Sequence, residues 1–207
     1  MMEGWSMGLL LMAMGSFALV GAITPGPVNV LALRHGAAAR RGVALAYVLG
    51  ASLSYASVVW LMGVGGELVL SNPGVMQAAR WVGAAYMFYL AWRIASAPPS
   101  ELNGKVPSTR RSGLQTLVEG VLTQSLNPKA WIVALSGVSL FVLPQENVPQ
   151  ARWLFVAVSL LACFVGVGSW AWVGRALAQW LTLPARQRAF NRTMGAVLAL
   201  CVIGMLG

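Results

Sequence analysis

Thr24-Pro25-Gly26-Pro27-Val28-Asn29 and Gln124-Ser125-Leu126-Asn127-Pro128-Lys129 are the two stretches that decide the fold of this chain. Each lies inside a long apolar run that would otherwise form one continuous membrane-spanning helix. Proline lacks an N–H and its ring clashes with the preceding turn, so both runs must unwind locally. A helix cannot run regularly through Pro25-Gly26-Pro27. Within hydrocarbon the freed backbone groups survive only where protein buries them or where they line a cavity. Asn29 and Asn127 sharpen the point, because an amide at that depth is costly without a partner. Broken helices at corresponding places in two halves of a chain mark the binding site of a membrane transporter. A lone Pro128 would read as a simple kink; two polar, proline-broken clusters read as a site.

The rest of the chain has the composition this requires. It is 58% hydrophobic and 9% charged, with mean hydropathy +0.72, whereas a soluble domain carries about 25% charged residues. Asp is absent, and the acids are Glu3, Glu67, Glu101, Glu119 and Glu146. The apolar runs fill the chain from end to end, so residues 1–207 are expected to make one membrane domain. Cys163 and Cys201 lie apart in apolar segments without His or acidic neighbours and read as small buried hydrophobes; neither a metal site nor any cofactor is expected. Glu3 stands where a basic n-region would be, so a cleaved signal peptide is not expected.

A span needs ~20 predominantly apolar residues. Candidate spans run over about 6–33, 43–66, 73–95, 113–143, 153–173 and 190–206, the last one short. The expected fold is all-α and polytopic, with six transmembrane helices. The polar stretch 97–112, with Pro98, Pro99, Gly104 and Pro107, divides it into repeat one (about 1–96) and repeat two (about 113–207). Three spans in each half give the halves opposite orientation, as inverted repeats require, with helices 1 and 4 broken. A faint echo runs between Arg80-Trp81-Val82-Gly83-Ala84 and Arg192-Thr193-Met194-Gly195-Ala196.

The net charge of +9 does not point to nucleic acid, because the basic residues sit in short clusters between apolar runs. Arg34, Arg40 and Arg41, then Arg93, Lys105, Arg110 and Arg111, then Arg175, Arg186, Arg188 and Arg192 make eleven of the fourteen. They occupy the first, third and fifth connections, which places those in the cytoplasm and both termini outside. Gly42, Ala46, Gly50 and Ser54 recur every four residues on the second span and read as a helix-packing stripe. Trp5, Trp60, Trp81, Trp92, Trp153 and Trp180 stand near span ends, as in an aromatic belt.

Three ionisable groups bear on function, because intramembrane charge usually marks it. Lys129 lies well inside the fourth run; it either neutralises a carboxylate or caps exposed carbonyls, or else it snorkels to the interface. Glu119 lies a turn or two into the same run and falls at the interface if that helix starts near Ser112. His35, the only histidine, stands beside Arg34 at the cytoplasmic end of the first span; it reads as a loop residue, with a proton relay as the functional alternative.

At the two breaks the sequence resembles the lysine/homoserine-exporter family of bacterial inner-membrane amino acid efflux proteins. The family's Pro-Gly-Pro is matched by Pro25-Gly26-Pro27, its Asn-Pro-Lys by Asn127-Pro128-Lys129, and a third-span segment by Gly83-Ala84-Ala85-Tyr86 with Leu90. Leu90-Ala91-Trp92-Arg93-Ile94-Ala95 and Phe141-Val142-Leu143-Pro144-Gln145, with Asn29 and Leu31-Ala32-Leu33, look like the cysteine and O-acetylserine exporter branch. Many members carry an aspartate in the second or fifth span, and this chain has none. The resemblance implies a secondary transporter of the inner membrane, not an enzyme, exporting a small amino acid against protons. Its substrate site would comprise Thr24, Pro25, Gly26, Pro27, Asn29, Gln124, Ser125, Asn127, Pro128 and Lys129, with Glu119 and His35 as coupling candidates. Without an aspartate a dibasic substrate lacks a countercharge, so neutral amino acids are expected. An exporter of another small metabolite or ion with the same architecture is the alternative. A homodimer is compatible with so small a transporter, and no sequence feature decides it.

Overall fold

The computed structural model describes residues 7–38, 41–70, 73–99 and 112–206, and these are helical throughout, with short turns and no strand among them. The helices are α1 (Met7–Ile23), α2 (Pro27–Ala37), α3 (Arg41–Leu70), α4 (Pro73–Ala95), α5 (Gly113–Ser125), α6 (Pro128–Phe141), α7 (Val148–Ala178) and α8 (Pro184–Leu206). Most of the 97–112 linker, with Lys105, Arg110 and Arg111, lies outside the described residues, as do Arg40 and Trp5.

Local chemistry sets the helix starts. Pro27, Pro73, Pro128 and Pro184 each stand first in a helix, where a missing N–H costs nothing and the fixed φ suits the first turn. Ser112 opens α5 through a capping box with Gln115, so two orphan backbone donors are satisfied. The Asn127 and Asn147 side chains cap α6 and α7.

Both expected breaks are present. α1 gives way to α2 across Thr24-Pro25-Gly26 with a bend of 68°, and α5 gives way to α6 across Leu126-Asn127. By length and apolar composition, Arg41–Gly65 and Val148–Ala178 would each cross a bilayer, and the bent α1–α2 pair would make a third span. The six expected spans thus exceed those that meet that measure. α4 and α8, each of 23 residues, carry polar and basic side chains such as Gln77, Arg93, Arg186, Gln187 and Arg188, and α6 is short. α8 begins six residues before the expected sixth span, because its charged first turns are helical too. The outer surface exposes Met12, Val20, Leu53, Trp81, Ile132, Leu140, Leu161, Trp172 and Leu200. A soluble monomer does not leave so much large apolar surface bare, whereas lipid requires it.

Each broken helix packs on the long helix of the other half. α1 and α2 lie on α7, while α5 and α6 lie on α3; α3 meets α7, and α4 meets α8. Glycines permit the two closest crossings. A Cβ on Gly36 of α2 would strike the Ala171 carbonyl of α7, and one on Gly174 of α7 would strike the Leu33 carbonyl of α2. Gly50 of α3 and Gly120 of α5 stand in the same way against the carbonyls of Leu117 and Tyr47. Backbones so close gain van der Waals contact, the main attraction available between helices in lipid. The expected stripe on the second span therefore packs only in part: Gly50 and Ser54 bear on α5, while Gly42 faces open space.

Candidate functional site

The two breaks meet. Between them lies a cavity of about 40 Å³, walled by Thr24, Gly26 and Asn29 from the first break and by Gln124, Asn127 and Lys129 from the second. Tyr55 of α3 and Cys163 of α7 close its sides.

Polar groups freed by the breaks are largely spoken for by the site's own side chains. The Asn29 amide donates to the carbonyls of Ala22 (3.0 Å) and Thr24 (2.8 Å), stitching the unwound turn to the start of α2. Lys129 Nζ crosses from the other half to donate to the same Thr24 carbonyl at 2.8 Å. Of its sequence readings, carbonyl capping is the one that matches this contact of the half-buried side chain. Asn127 Oδ1 accepts from the Lys129 backbone N–H at 3.2 Å, and its amide lies 3.5 Å from Gln124 Oε1. Gln124 Nε2 in turn lies 3.9 Å from Cys163 Sγ. Two indoles satisfy the carbonyls that end the first half-helices: Trp170 Nε1 donates to Ile23 at 3.0 Å and Trp131 Nε1 to Ser125 at 2.8 Å.

The two second half-helices start differently. α6 is capped by Asn127, whereas α2 begins at Gly26 with no side-chain cap and with Pro27 in its first position. The positive end of the α2 dipole therefore faces the cavity. Lys129 stands beside it, its Nζ 3.7 Å from where a Cβ on Gly26 would lie. Two positive ends converge there, and among the described residues no Asp or Glu lines the cavity. Such a place suits an anion electrostatically.

Not every expected residue faces this cavity. Pro25, Pro27 and Pro128 shape the backbone but do not line it. The Ser125 hydroxyl turns away to Ser54 (2.8 Å) and the Val121 carbonyl, and the Thr24 hydroxyl bonds back to the Val20 carbonyl. Tyr55, Cys163, Trp131 and Trp170 were not legible as site residues: an apolar run offers many aromatics, and only packing shows which ones turn inward.

His35 overturns its reading as a loop residue. It lies within α2 and is buried, because Pro27 starts a helix that carries past it. Its Nε2 stands 3.2 Å from Glu119 Oε2, with side chains only 5% and 12% exposed. Glu119 is thus turned inward toward α2. The His35 ring packs on Tyr47, centroids 4.8 Å apart.

Among the described residues, an all-helical body with an apolar outer surface and two broken helices around a partly polar cavity defines a membrane transporter of the broken-helix class. The model of the LysE type translocator family matches residues 19–206, and the chain belongs to that family; it is a transporter and not an enzyme. Among curated relatives, cysteine/O-acetylserine efflux proteins of Salmonella choleraesuis (strain SC-B67) and Salmonella typhimurium (strain LT2) are 32% identical to it, over 94% of this chain and 94% of each relative. One from Escherichia coli O157:H7 is 33% identical over the same shares. No solved structure matches it.

Proposed function

We propose that this protein exports small neutral amino acids or close derivatives, cysteine and O-acetylserine foremost, across the bacterial inner membrane in exchange for protons. The observation that carries this is the convergence of the uncapped start of α2 and the Lys129 ammonium on one cavity. There a substrate carboxylate displaces Lys129 from the Thr24 carbonyl, and that carbonyl with the Asn127 and Gln124 side chains receives the α-ammonium. A second positive charge on the substrate would find no carboxylate in the lining, which favours zwitterions of no net charge. The names of the relatives supply the chemical class.

At about 40 Å³ the cavity is narrow, with room for ordered water among its polar groups. Substrate enters as the half-helices part and the cavity widens.

We further infer six spans in two inverted repeats with both termini periplasmic, and the helix pairing supports the two-repeat part of that reading. Exchanging α1 with α5, α2 with α6, α3 with α7 and α4 with α8 carries each main contact into another or into itself. Pro27 then corresponds to Pro128, and Pro73 to Pro184. The basic clusters support the orientation.

Extracellular amino acids from overproducing cells test the reading. Cysteine or O-acetylserine should accumulate with the native protein and fall to background with Asn127→Leu at equal membrane abundance. Unchanged export by that variant would remove the site from the breaks.

A further inference from the structure

The buried pair His35–Glu119 lies away from the substrate cavity, and nothing in the binding step uses it. It joins α2 to α5, the half-helices on one side of the two breaks. Those are the elements that must separate if the cavity is to open on that side. Glu119 also forms part of the wall of a second cavity, of about 190 Å³, bordered by Arg34, Arg93 and Ser96. That space holds several waters. One face of the carboxyl group thus looks inward to an imidazole and the other borders a polar vestibule at the end where the basic residues cluster.

We propose that His35 and Glu119 form a proton-operated lock on that side of the substrate cavity, and that Glu119 carries the driving proton. The proposal rests on the proton-driven efflux reading above and names its coupling group. With Glu119 ionised, its carboxylate attracts the imidazole and holds α2 to α5. A proton from the opposite, outer side reaches the Glu119 carboxylate by way of the substrate cavity and turns it into a neutral carboxyl group. The charge that held the two half-helices together is gone, and the cavity opens to the vestibule. Substrate enters by that route while the proton leaves Glu119 for vestibule water, the carboxylate is restored, and the lock closes behind the substrate. One proton is bound and one released per cycle, and His35 keeps its own throughout.

The surroundings suit the role. Tyr47 of α3 packs on the imidazole, and Tyr86 of α4 lies within the field of Glu119. Arg34 and Arg93 stand at the vestibule, and α7 contributes Cys163, close enough to act on Tyr47. Glu119 is the carboxylate in this set, and it is the group assigned the driving proton, with His35 as its partner. An ionisable pair at this depth is expensive to keep and is retained where it works.

The test uses the purified protein in liposomes with reduced L-cysteine as probe. Exchange of labelled for unlabelled cysteine without a pH gradient needs opening but no net proton movement; accumulation driven by a pH gradient needs both. Glu119→Gln should keep exchange and lose accumulation by about tenfold or more, with a flat pH profile. His35→Gln should weaken the pH dependence, and the exchanged pair His35→Glu with Glu119→His should restore part of it. A substrate-free readout comes from Cys163, which lines the substrate cavity and is buried. Its alkylation relative to Cys201 should rise roughly tenfold in Glu119→Gln at fixed pH. Native accumulation in Glu119→Gln, or unchanged Cys163 labelling, overturns the lock. If the native protein moves no cysteine at all, the substrate reading fails, while the thiol labelling still decides the lock.

Discussion

Replacing Lys129 by Met tests the substrate site most directly. Met keeps the length and apolar stem of the side chain and removes only the ammonium. Two interactions disappear with it: the 2.8 Å hydrogen bond to the Thr24 carbonyl, and the positive charge beside the start of α2. The first belongs to the empty transporter and the second to the loaded one. A hydrogen bond to a charged group contributes about 1.5–3 kcal/mol net. An ammonium about 4 Å from a carboxylate attracts it by about 4 kcal/mol at an effective dielectric near 20, before desolvation is subtracted. The two losses offset in part, so a net loss of about 1–2.5 kcal/mol in substrate binding is expected, a fall of roughly 5- to 70-fold in transport efficiency. The assay is the initial rate of cysteine efflux from preloaded cells against internal concentration, at matched membrane abundance. The loss should appear mainly as a raised KM, and Lys129→Arg, which keeps the charge, should retain export to within about tenfold. Native KM and rate in Lys129→Met would refute the placement of the substrate carboxylate.

Other outcomes follow from the glycines. Gly36→Ala drives a methyl group into the Ala171 backbone and should cost about 1–3 kcal/mol or more, read as a lower Tm in detergent; Gly42→Ala, which meets nothing within 4 Å, should leave Tm unchanged. Gly26 has φ −172°, an extended conformation open to any residue, and a Cβ there meets Lys129 at an ordinary 3.7 Å. Gly26→Ala should therefore fold normally yet impair efflux several-fold by crowding the carboxylate site, and native efflux in that variant would move the substrate off the start of α2.

The breaks, the helical class and six residues of the cavity wall were legible in the chain because proline acts on its own backbone. Pro25, Pro27 and Pro128 end and start helices whatever surrounds them, and their positions are printed in the sequence. Pro73 starts α4 in the same way, as the expected third span had it, whereas the start of α8 at Pro184 precedes the expected sixth span. The resemblance at Pro25-Gly26-Pro27 and Asn127-Pro128-Lys129 then placed the chain in the family that the comparison with known proteins bears out.

Contacts across the chain decided the rest. Lys129 and Thr24 are 105 positions apart, and nothing local says whether a lysine after a proline turns to an interface or to a carbonyl in the other half. His35 read as a loop residue because a lone histidine beside an arginine at a span end usually is one; it is buried because α2 packs on α7 through Gly36 and Gly174 and brings Glu119 of α5 within reach. Ser125 was expected at the site by its neighbours, but the approach of α3 turns its hydroxyl to Ser54. Backbone covalent chemistry is local, so the sequence by itself determined where the helices break. Which side chains meet across those breaks depends on how closely two halves can approach, and only the tertiary structure decided that.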